Sequence, residues 1–421
     1  MFLKKITGKW WFWPLLIGVL IRLILMPITV HPDLWGHSFT AYFFAYKGEI
    51  NIYDFLLSLP KDYPLVANFG VSDIFIYPPL TYFTLGIFRF LIRPLADANF
   101  IPWLMVNVGH FYNYSNLGVQ LFLFKLPYLF IDVASAFVLS KLFNDPKKKK
   151  TAFALWMFNP VTIYATFMIG QFDIIPVFFT LLSCYLAKNK KPGWGVFMLG
   201  IGGAYKMYPL LLIPAAAFLL GETFWKKVKL MGIGIFPYLL TIFPFLWSKG
   251  FRSMVLFGSK ETKMLFMKFN MTGAEAIFPF ILGLVIIYLI SYYSKRKIHL
   301  EYYFLSIIFL IFAVSSYHPQ WFLWLTPFLI YALVKKSFKY VEIIVVLFVS
   351  WLLITLTFEA SLSYGLFSPI WHTLTNAPSL GDILAKYVDV YQFKSIIRSI
   401  FAGTGLFYIY KLFKNEDIQE Q

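Results

Sequence analysis

The chain has 421 residues, of which 59% are hydrophobic, 21% aromatic and only 14% charged, and its mean hydropathy of +0.69 excludes an ordinary soluble domain. Its formal charge is +17, but the cations stand in short clusters between apolar runs rather than along a basic face interleaved with stacking aromatics, which argues against a nucleic-acid partner. The one cysteine, Cys184, excludes an intrachain disulfide and sits in an apolar run as a small buried side chain.

Apolar stretches of roughly 17 to 25 residues, long enough to cross about 30 Å of hydrocarbon, recur along the chain. They predict an all-α polytopic membrane protein of about 11 to 13 transmembrane helices, a single integral membrane domain over 1–421. The basic start (Lys4, Lys5, Lys9) resembles a signal peptide. The segment is too long and lacks a small-residue cleavage site, so it reads as a retained helix, about Trp10 to Val30. The clusters Lys147 to Lys150, Lys188 to Lys191, Lys226 to Lys229, Lys295 to Lys297, Lys335 to Lys339 and Lys411 to Lys414 are expected on the cytoplasmic side of the cell membrane with both termini, because positive charge resists translocation.

That orientation sends the first helix outward, so VHPDLWGHSF (Val30 to Phe39) opens a long polar outer segment reaching to about residue 75. Between Tyr77 and Lys141 the chain must cross an odd number of times. Arg89 and Arg93 favour three crossings, residues 97–116 are polar for a helix, and the number stays open. The next outer turn is Gly170 to Asp173. The run WGVFMLGIGGAYKMYPLLLIPAAAFLL has lysines on both sides and needs an even number of crossings, which a hairpin of two segments, each about 20 Å long, supplies with Lys206 in the outer half of the membrane. Residues 248–274, Tyr317 to Gln320 and 359–392 are further outer segments. Prolines break the segments WMFNPVTIY, AYKMYPLLLIP and FLWLTPFLI, and such breaks often line a cavity.

The unusual polar residues thereby gather on one side: Asp33 with His31 and His37, Tyr77, Gln171 and Asp173, Lys206 and Tyr208, and Tyr317, His318 and Gln320. Each also has a structural reading. Asp33, His31 and His37 suit a solvated loop, Asp173 a helix cap, and His318 an interface. Lys206 suits snorkelling. Lys125 and Asp132, seven residues apart, share a helix face and would neutralise one another or engage Arg22.

A cation near the outer edge of a membrane suits a lipid phosphate, and a neighbouring acid suits proton removal from an incoming hydroxyl. Together they describe a transferase in which Asp33 is the general base and Lys206, with His318, meets a leaving phosphate. The histidines lack the spacing of a zinc site and one cysteine makes no thiolate site. No cofactor is therefore expected, although magnesium or manganese on outer carboxylates stays open. There is no Walker loop or dinucleotide fingerprint.

The acid Asp33 in the first outer loop, NIYDF followed by YPPL, KLPYLFIDVASAFVL, FNPVTIYATFMIGQFD, AYKMYPLLLIP and YHPQWFLWLTPFL run in order from residue 31 to about 328. In this ordered set the chain resembles the GT-C superfamily of integral membrane glycosyltransferases. The likeness is to mannosyltransferases related to the GPI-anchor enzymes and to bacterial polyprenyl-phosphate-mannose-dependent transferases. The resemblance implies a GT-C module over about 1–247 followed by C-terminal helices over 248–421, and a polyprenyl- or dolichyl-phosphate sugar donor. It also implies a catalytic Asp33, donor-phosphate contacts at Lys206, His318 and Lys125, and substrate contacts at His31, His37, Tyr77, Gln171, Asp173, Tyr208, Tyr317 and Gln320. The acceptor, a glycan, a lipid-linked sugar or a protein, does not carry over. One acid after the first helix, where some branches have a pair, leaves Asp54, Asp62 and Asp73 as alternative bases. A transporter or lipid flippase is the rival reading, since broken helices with buried charge suit it equally. A lipid-linked oligosaccharide ligase or polymerase is a third, differing mainly in the size of the donor.

Overall fold

A computed structural model describes residues 7–70, 74–294 and 299–416; Asp73 and the cluster Lys295 to Lys297 lie outside the described residues. The chain is an all-α polytopic membrane protein. Among the described residues β structure is confined to Phe269–Asn270 paired antiparallel with Ala276–Ile277.

The longer helices, numbered in chain order, begin with α1 (Phe12–Ile28), α2 (Asp33–Tyr42), α3 (Ile52–Ser58), α4 (Pro64–Phe69), α5 (Pro79–Leu91) and α6 (Phe100–Val106). Then come α7 (Leu117–Lys141), α8 (Pro146–Met157), α9 (Ile174–Lys188), α10 (Pro192–Gly203), α11 (Ile213–Leu220) and α12 (Phe224–Ile242). The last five are α13 (Pro279–Tyr293), α14 (Leu300–Val314), α15 (Phe322–Lys335), α16 (Val341–Leu356) and α17 (Val390–Glu416). By length and apolarity α7, α12 and α17 are long enough to span a membrane unbroken, and α1 with α2 passes as a pair bent by 83°. Most of the remaining apolar helices are shorter than the expected 20-residue span, so the crossings rely on bundling. The outer faces of α12 (Ile235, Phe236, Leu239, Leu240) and α13 (Ile281, Leu282, Val285, Ile286) are exposed and apolar, as lipid contact requires.

Several expectations meet the structure. The hairpin around Lys206 is present as α10 and α11, joined through a single-turn 3₁₀ segment Tyr208–Leu212, and Gly200 lets α10 approach α12 so closely that a Cβ there would stand 2.0 Å from the Gly234 carbonyl oxygen. The polar segment up to residue 75 is largely short helices, and α2 is buried along Leu34, Trp35, Phe39 and Tyr42; alternating small, polar and aromatic residues hid that face. Between 77 and 141, α6 has 7 residues, about 10 Å at 1.5 Å per residue, so the polar 97–116 stretch does not cross. FLWLTPFLI is not a break: Pro327 sits inside a continuous α15.

The ends of the helices organise the molecule. Asp173 precedes α9 and Lys188 ends it, 15 helical residues apart, about 22 Å. Likewise His318 to Gln320 precede α15 and Lys335 ends it. The polar residues before α9 and α15 therefore occupy one end of the bundle, and Lys188 and Lys335 the other.

Candidate functional site

The site begins at the end of α1. Pro27 lies in its last turn, and the terminal carbonyls that a helix leaves unpaired are taken up by Lys125 from α7. Its ammonium donates to the carbonyl oxygens of Met26 at 3.0 Å and Thr29 at 2.5 Å, and lies 3.3 Å from the Thr29 hydroxyl. A cation at a helix C-terminus is favoured by the dipole as well. Lys125 is fully buried, and its hydrogen bonds go to protein carbonyls. The structure thus corrects the expectation of a Lys125–phosphate contact: this side chain fastens the break from which α2 turns away. Asp132, seven residues on, does not share its charge with Lys125 but pairs with Arg22 at 2.7 Å.

Asp33 opens α2 immediately past that break. One carboxylate oxygen, Oδ2, accepts from the Gln171 amide at 2.7 Å, and the Gln171 carbonyl oxygen lies 3.2 Å from His37 Nε2. Only the NH₂ group can donate to a carboxylate, so the amide orientation is fixed and His37 must carry its proton on Nε2. His37 lies one turn along α2 from Asp33, so Gln171 clamps two residues of the same helix face. Gln171 itself is presented by the turn at Gly170, whose φ of +88° is open to glycine and which packs against Leu34 and Lys125.

The other oxygen of Asp33, Oδ1, lies 3.5 Å from His31 Nδ1, and the side chain is 38% exposed. Burial works to raise this carboxyl's pKa, but His31, His318, His37 and Lys206 more than offset that and hold it below the ordinary carboxylate value. His318 comes from the α14–α15 connection, with its ring 5.8 Å from that of His31. Burial pushes the His318 imidazole down to about 4 against the pull of Asp33, so it is neutral at pH 7.

Two residues beyond Gln171, Asp173 accepts both from Lys206, at 2.8 and 3.0 Å, and from the Trp324 indole. The Lys206 ammonium also lies between 5.1 and 5.8 Å from the ring centres of Tyr77, Phe172, Trp321 and Trp324, a cation held by aromatic faces. Asp33 and Lys206 are therefore at the same end of the bundle, linked through the three-residue stretch Gln171 to Asp173. Asp173 is an ion-pair partner more than a helix cap, for it makes no side-chain cap bond to α9.

Tyr77 joins His37 and Phe172 in one aromatic cluster, and Tyr208 stacks on Trp324 at 4.2 Å. Gln320 is buried close by in chain. Tyr317 is placed differently: it packs on Phe312 and Phe401 with the Arg398 guanidinium over its ring, as core for the C-terminal helix. Asp54 is spent on the backbone N–H of Gly250 and on Asn51, and Asp62 lies in an exposed turn before α4, so neither of these two joins the cluster around Asp33.

Sequence reasoning counted 359–392 as an outer segment but missed its contact with the Asp33 end. Glu359 faces His31 Nε2 at 3.8 Å, Tyr164 donates to the Leu362 carbonyl and Val30 N–H to that of Leu366, so residues 359–366 roof the Asp33 end. A lone glutamate in an unpatterned loop carries no signal of this. Trp321 and Trp324 were hidden by likeness to interfacial aromatic belts.

An amide-clamped carboxylate, neutral imidazoles and an aromatic-caged cation at one end of a membrane bundle suit proton removal beside an anionic group. Residues 75–274 match the model of glycosyltransferase family 87. No curated protein matches the chain. The family-87 match indicates glycosyl transfer, which calls for a sugar donor and an acceptor, and with the apolar helices it marks an integral membrane enzyme. The matched stretch holds Tyr77, Gln171, Asp173, Lys206 and Tyr208, while Asp33 and the histidines His31, His37 and His318 lie outside it.

Proposed function

We propose that the chain transfers a hexose, mannose foremost, from a polyprenyl- or dolichyl-phosphate donor to an acceptor hydroxyl on the extracytoplasmic face, with inversion at the anomeric carbon. The observation that carries this reading is the Asp33 carboxylate, fixed through one oxygen by Gln171 and left open at the other. In the reaction the acceptor O–H gives its proton to Asp33 Oδ1 as the oxygen bonds to the anomeric carbon. The bond from that carbon to the phosphate oxygen breaks, and the electron pair leaves with the lipid phosphate. Such a positioned base contributes about 10²- to 10⁴-fold.

Lys206 has three N–H donors, of which Asp173 takes two; the third, with His318 gaining a proton as the phosphate arrives, would meet the leaving-group charge. Phosphate leaves readily once its charge is met, so the reading routes no step through a metal. The faces of Trp321 and Tyr77 suit the sugar ring. Lysine clusters at the opposite bundle end support placing this end outside the cell membrane. The test is transfer by the purified full chain from tritiated polyprenyl-phosphate mannose, with a nucleotide-linked mannose as control. Label moving to an acceptor from the lipid donor alone supports the reading, and transfer from the nucleotide sugar alone overturns it.

A further inference from the structure

At the bundle end far from Asp33 lies a cavity of about 810 Å³, bounded by the ends of α7, α8, α9, α11, α13, α14 and α15. Its volume falls in the range of small-ligand sites. Lys148 from α8, Lys188 from α9 and Lys335 from α15 stand in its wall, with His299 and Tyr331 at one side and Glu301 buried within. Three lysines from three separate helices thus line one cavity.

Their hydrogen bonds hold them without cancelling their charge. Lys148 donates to the Lys335 carbonyl at 3.0 Å, and Lys188 to the Leu142 carbonyl and the Asn144 side chain at 2.7 and 2.9 Å. These acceptors are neutral, so they fix Lys148 and Lys188 in place while the positive potential remains. The acids of the wall are Asp145, whose Oδ1 caps the Lys148 N–H, and Glu301. A buried carboxyl beside three lysines disfavours a permanently ionised ligand such as sulfate. It suits a ligand able to share a proton, and a phosphate monoester does so near neutral pH.

We propose that this cavity binds a phosphate monoester or inorganic phosphate, between Lys148, Lys188 and Lys335. Phosphatidate of the adjacent leaflet and free phosphate share this chemistry. The proposal does not rest on the glycosyl-transfer reading, because the cavity is about 20 Å of helix away from Asp33.

The test is calorimetric titration of the purified full chain in neutral detergent at fixed ionic strength, with inorganic phosphate, dihexanoyl phosphatidate and sulfate as probes. We expect saturable binding of phosphate or phosphatidate, weakened about fivefold by each of Lys188→Gln and Lys335→Gln and retained in Lys335→Arg. Sulfate binds more weakly, and Glu301→Gln narrows that preference. Phosphatidate alone binding identifies a lipid site, and equal binding of both identifies free phosphate. If Lys335→Gln does not fold, Lys188→Gln, at the exposed rim, carries the test. No saturable binding, or binding untouched by the lysine substitutions, overturns the proposal.

Discussion

Two buried ion pairs divide the labour of this molecule. Arg22–Asp132 joins α1 to α7 with both side chains fully buried; the guanidinium also donates to the carbonyls of Gly18 and Met157, and the Trp156 indole donates to Asp132. Lys206–Asp173 has the same chemistry, but its lysine side chain is 11% exposed and its remaining neighbours are aromatic faces. Arg22 spends Nε and Nη1 on protein acceptors, and its Nη2, without a partner, is sealed off by full burial, which makes the first pair a rivet. The second keeps an N–H and an opening beside Asp33, which makes it available to an anion. A buried charge alone does not mark a functional site; what distinguishes the two is whether the spare N–H can be reached, sealed at Arg22 and partly open at Lys206.

The comparison breaks most readily at the rivet. Arg22→Met leaves Asp132 buried without its cation, a change that costs about 3–5 kcal/mol, and we expect thermal denaturation in detergent to show a large loss that Arg22→Met with Asp132→Leu largely restores. A destabilisation no greater than that of Lys206→Met would erase the distinction. Lys206→Gln should instead reduce kcat/KM for the lipid donor about 10- to 100-fold through a lost charged hydrogen bond, read in steady-state transfer assays; unchanged donor kinetics would return Lys206 to a purely structural role. Gln171→Ala frees the Asp33 oxygen it holds and should lower kcat about tenfold with little change in donor KM, since a single hydrogen bond is worth about 1 kcal/mol.

The smallest expected effect concerns pH. His318 titrates at about 4 in the folded chain against 6.5 when unfolded, so the unfolded state takes up the proton first, and stability falls as pH drops from 6.5 towards 4. His318→Gln should flatten that acid loss in denaturation midpoints measured from pH 7 to 4. Asp33, held below the ordinary carboxylate value, stays ionised over the same range and should add no acid limb to the rate between pH 5 and 8.

The gathering of Asp33, Gln171, Asp173 and Lys206 at one end was legible because lysine clusters mark the other ends of the same helices, and a helix cannot bring its two ends together. The bundle's all-α character followed from apolar run length. What the sequence concealed depended on tertiary contact. Lys125 and Lys206 look alike as buried lysines, and only the carbonyls of Met26 and Thr29 separate the one that closes a helix from the one that faces a site. The burial of α2 was obscured by its mixed composition, and the approach of Glu359 to His31 joins residues more than 300 apart in sequence.

The central claim is that Asp33 removes the acceptor proton. Single-turnover transfer by Asp33→Asn, with donor binding followed separately by equilibrium titration of polyprenyl-phosphate mannose, tests it most directly. The account predicts donor affinity within about threefold of the parent and a transfer rate lower by about 10²- to 10⁴-fold. Transfer at the parent rate with donor bound normally would contradict it.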